Sequence, residues 1–217
     1  MHSPETFQFF CDTLSGMYRQ LPQLVGFIID EPKCFIVDRS KMTIAALGEN
    51  APMTAHYAAA RDFFSRVCAF AIQTWPDKFT VMFQQAHLSA DELTTGSGVQ
   101  HLDFYGADGR PWTLEDDAKM TNSGGDEGNG RGKVLVSGKG EAFIKSARAV
   151  EGRKSFFLAE NHNLKANMIE PLKRNYPRVL ALRPDLFTYY YYPRNVEGAD
   201  LVMDIIGRNL KSFAQSS

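Results

Sequence analysis

What this chain has little of narrows its function before any motif is read. Charge of one sign is missing: 24 basic residues stand against 25 acidic ones, a net charge of −1. No global field draws the chain onto phosphate backbones or anionic bilayers, so nucleic acid is not favoured as a partner. Cysteine is scarce as well. Cys11, Cys34 and Cys68 are odd in number, widely spaced and without a CxxC pair, which argues against a disulfide framework or a zinc knuckle. Each sits among apolar neighbours, as in Phe9-Phe10-Cys11, and is expected to be a buried structural thiol. No apolar run reaches the length of a membrane span, and Met1 to Glu5 holds no basic stretch leading into an apolar one. The expectation is a soluble, cytoplasmic protein with no membrane partner. GxSxG and HExxH are absent, which removes the standard hydrolase and zinc-protease signatures. Gly128 to Lys133 imitates a phosphate loop and fails. Glu127 replaces its first glycine, and Val134 stands where a magnesium-binding Ser or Thr is required.

What is present is apolar mass and turn chemistry. A hydrophobic fraction of 44%, with 16 Phe, 8 Tyr and 2 Trp among 217 residues, suffices for one substantial core without staples. Ser3-Pro4-Glu5 offers a capping hydroxyl, a proline at the first helical position and an acid in the first turn, predicting a helix that Pro22 ends. Met53 to Trp75 is the clearest helix, with Tyr57, Ala60, Phe64, Val67 and Ala71 on one face. Leu24 to Ile29 and Cys34 to Val37, joined by Asp30-Glu31-Pro32-Lys33, predict a hairpin. Phe79 to Phe83 and Val99 to Tyr105 alternate as strands do, and Gly106-Ala107-Asp108-Gly109 reads as a tight turn.

The stretch from about 115 to 132 is acidic and then glycine-dense, predicting a flexible loop between two halves of one core. Beyond it, Val134 to Val136, Phe156 to Ala159, Val179 to Leu182 and Phe187 to Tyr192 predict strands. Glu141 to Val150, Leu164 to Tyr176 and Ala199 to Phe213 predict helices. This βαβαβ rhythm in the C-terminal half predicts an α/β or α+β fold, a single domain whose mixed sheet is flanked by helices. No internal repeat is visible in the sequence.

Candidate chemistry gathers where the predicted strands end. Val136-Ser137-Gly138-Lys139-Gly140-Glu141 is a glycine turn between strand and helix, a place where backbone N–H groups approach a bound anion. Glu160 follows Gly140 by about 20 residues, at the end of the next strand, with His162 two residues on. Gly138, Gly140, Glu160 and His162 are therefore candidate ligand-binding residues. The segment from Val134 to about Asp185 resembles the first part of a Rossmann-type methyltransferase or dehydrogenase, although Phe143 stands where that fingerprint has its third glycine. The resemblance implies a nucleotide or S-adenosyl ligand. The same glycines also serve an ordinary βα turn, and Asn161 or Asn163 also serves as a helix cap.

His101 and Asp103 would share one face of a strand and, with Asp108 or Asp116, or with His162, suggest a metal site beside the plain reading of surface side chains. Thr188-Tyr189-Tyr190-Tyr191-Tyr192-Pro193-Arg194 places tyrosines on both faces of a strand. Tyr189, Tyr191 and Arg194 are the candidate partner surface. The favoured expectation is an accessory or regulatory protein acting through protein–protein contacts without catalysis. The alternative is a Rossmann-like enzyme or sensor with a small nucleotide-like ligand. No cofactor is assigned, and the residues choose no metal.

Overall fold

The computed structural model describes residues 1–32, 40–85, 90–109, 138–160, 169–190 and 199–215. In chain order its elements are α1 (Pro4–Gln20), β1 (Gly26–Asp30), α2 (Lys41–Leu47), α3 (Met53–Thr74), β2 (Phe79–Gln85), α4 (Ala90–Ser97), β3 (Phe104–Gly109), α5 (Gly138–Arg148), β4 (Lys154–Glu160), α6 (Ile169–Ala181), β5 (Leu186–Tyr190) and α7 (Ala199–Gln215). The five strands form one parallel sheet in the order β1-β2-β3-β4-β5. Its C-terminal half alternates helix and strand, as the sequence rhythm predicts, and the fold is α/β. Parallel strands need crossovers, and helices supply them. Among the described residues, no helix is long and apolar enough to cross a membrane. The expected strands at Cys34 to Val37 and Val134 to Val136, and the expected loop at about 115 to 132, lie outside the described residues.

The chain divides into two compact units, Met1–Phe83 with Ser89–Tyr105, and Gln84–Leu88 with Gly106–Ser217. In the first, α1 begins as its sequence dictates: the Ser3 side chain accepts from the Thr6 N–H at 3.1 Å. The Ser3 hydroxyl also donates to Glu5 at 2.7 Å and holds that carboxyl below its ordinary range. Leu14 of α1 packs with Phe63, Val67 and Ala71 of α3, and the edge-on rings of Phe7, Phe10 and Phe64 surround Phe63. In the second unit, Ala159 of β4 meets Ile169, Leu172, Tyr176 and Leu180 of α6 and Val202, Ile205 and Ile206 of α7.

Three expectations are corrected. Gly106 to Gly109 is the buried second part of β3, not a turn. A Cβ at Gly106 would run into the Phe156 backbone, with its Cα at 2.9 Å, so this glycine serves close strand approach. The residues from Val99 to Asp103 precede β3 instead of forming it. Val179 to Leu182 is not a strand: Val179, Leu180 and Ala181 close α6, where Leu172, Tyr176, Val179 and Leu180 share a buried helical face. A four-residue apolar run fits either element, and the buried stripe that precedes it decides.

Each unit holds the same corner at the amino ends of its strands. In the first, the Thr80 N–H donates to Asp103 Oδ2 at 2.8 Å and the Asp103 N–H donates to Thr80 Oγ1 at 3.1 Å. In the second, Ser155 N–H donates to Asp185 Oδ2 at 2.8 Å, Ser155 Oγ donates to the same atom at 2.6 Å, and Asp185 N–H returns a bond to Ser155 Oγ at 3.1 Å. Two residues before each aspartate the backbone is left-handed, φ 63° at His101 and φ 51° at Arg183. One hydroxyl residue second in a strand and one aspartate just before the next strand thus recur without any repeat legible in the sequence.

The Asp185 carboxylate titrates in this corner. Burial pushes it up, but the Ser155 hydroxyl and amide and the Arg148 guanidinium pull it further down, so it lies below the ordinary aspartate value. A lowered folded-state pKa stabilises the protein above the unfolded value, about 3.9, and that stability is lost as pH falls through the folded one. Asp185→Asn is expected to cost about 2 kcal/mol at pH 7. The gap from wild type should narrow in urea melts taken below about pH 4.

Candidate functional site

Ligands of parallel α/β sheets gather at the carboxyl ends of the strands, because the loops there converge over the sheet edge. In the second unit that edge holds Gln84 near the end of β2, Asp108 near the end of β3, Glu160 as the last residue of β4 and Tyr190 as the last of β5. Gln84 and Asp108 are buried, 1% and 2% exposed, although both are polar. A buried carboxylate costs free energy wherever it stands, and on a carboxyl edge it is a candidate functional group.

Gly138 and Gly140 form the first turn of α5, three residues earlier than the sequence predicts for that helix. At its other end, the Arg148 guanidinium reaches the Arg183 carbonyl at 2.8 Å and Asp185 at 3.3 Å, at the amino ends of the strands. The helix therefore runs back from the carboxyl edge, and its first turn lies toward the same edge as Glu160. Sequence reasoning named these glycines and Glu160 but missed Gln84, and it offered Asp108 only as a metal-ligand candidate in a turn. Gly106 and Gly109 bracket Asp108 and signal a turn, which hid a buried strand end. His162 lies outside the described residues.

His101 and Asp103 do not share a strand face. His101 is exposed in a left-handed turn, and Asp103 is committed to Thr80. The Thr80 hydroxyl in turn donates to the His101 carbonyl at 2.6 Å. Among the described residues, no group of three or more His, Cys, Asp or Glu side chains is placed to hold a metal ion. Cys11 and Cys68 are buried. Burial pushes the Cys11 thiol up, away from the reactive thiolate. His56, buried in α3, has no hydrogen-bond partner for Nδ1 among the described residues.

Of the tyrosine run, Tyr189 lies on β5 and is 42% exposed. Tyr191 and Arg194 lie outside the described residues. A second surface, which the sequence does not announce, opens in the first unit. All five residues of β1 together with Phe9, Phe10, Thr13, Leu14 and Met17 of α1 line a groove of about 530 Å³. Phe9 is 67% exposed and Ile28 49%, and Val25, next to β1, is 69% exposed. Among the described residues that line the groove, Asp30 is the single ionisable side chain. The signal was present as Phe9, Met17 and Ile28, but exposure is a tertiary property that spacing does not reveal.

No protein-family model, no curated protein and no solved structure matches the chain.

Proposed function

We propose that the chain is a non-catalytic binding protein that acts through protein–protein contacts, with the apolar groove between α1 and β1 as its docking face. One observation carries this reading. Phe9, Phe10, Met17 and Ile28 stand together on one exposed face, and contiguous apolar surface of this size marks an interaction site in a protein that must stay dispersed in water. The volume falls within the range of small-ligand sites too, but the described residues that line the groove offer one carboxylate and little else for orienting a small molecule. The test is affinity capture from cell extract with wild type and with Phe10→Asp. The variant should lose the proteins that wild type retains. An identical captured set would overturn the reading.

The buried pair Gln84 and Asp108 favours a second reading, a Rossmann-like enzyme or sensor with a nucleotide-like ligand at the carboxyl edge that also holds Gly138, Gly140 and Glu160. Thermal shift against nucleotides and S-adenosyl compounds tests it. A rise of several degrees that Asp108→Asn removes would support it, and no rise across the series would sink it.

A further inference from the structure

We draw no further inference here: the strongest candidate, the apolar groove between α1 and β1, belongs to the docking face already described, and nothing in the structure shows what covers it.

Discussion

Gly106→Ala is expected to leave the chain unfolded or insoluble, with a cost of about 4 kcal/mol or more against a total stability of about 5–15 kcal/mol. The added Cβ would strike the carbonyl oxygen of Phe156, with the Phe156 Cα at 2.9 Å. These are backbone atoms of β4 and have no rotamer in which to retreat. All six residues of β3 are buried, so the strand has no solvent side toward which to shift. Overpacking a flexible core costs about 1–3 kcal/mol, and here the core does not flex. Gly207 in α7 is the control within the same unit, because a Cβ there meets nothing within 4 Å. Gly207→Ala should be neutral or stabilising by up to about 1 kcal/mol. Soluble yield and urea melts of the two variants check the contrast. Equal behaviour would remove the close-approach account of Gly106.

Those two glycines also show why part of the fold was legible in the sequence and part was not. Local chemistry read correctly. Ser3 caps α1, Met53 to Trp75 predicts α3 to within one residue, and the alternation after residue 138 gives the α/β class. Glycine misled at 106 because one residue type serves turns, left-handed corners and close strand contacts alike. α2 and α4 passed unnoticed for different reasons. α2 has seven residues under a single Ser40 cap, and α4 carries two threonines and Gly96, which weaken helical preference. The site followed the same division. Gly138, Gly140 and Glu160 were reachable through spacing, which is local. The burial of Asp108 and the exposure of Phe9 depend on what the rest of the chain covers, and no window of sequence holds that information. The paired corners at Thr80–Asp103 and Ser155–Asp185 join residues 23 and 30 positions apart, beyond any motif a linear reading would test.

Tyr176→Ala is expected to cost about 3–5 kcal/mol, the range for removing a large aromatic from a packed core. The side chain is fully buried among Leu172 and Leu180 of its own helix and Val202, Ile205 and Ile206 of α7. Its ring also meets Phe187 of β5 edge-on, with centroids 5.8 Å apart, worth about 1 kcal/mol beyond the area it buries. The cavity would open where α6, α7 and β5 meet. Ala181→Lys separates this arrangement from the strand that the apolar run Val179 to Leu182 suggests. A strand buries Val179 and Ala181 on one face, whereas the helix buries Val179 and exposes Ala181. The lysine should therefore shift the urea midpoint little, within about 0.5 kcal/mol, while Tyr176→Ala shifts it several times as far. A lysine at 181 as damaging as the loss of Tyr176 would mean that this segment pairs as a strand. The α6–α7 core of the second unit would then have to be redrawn.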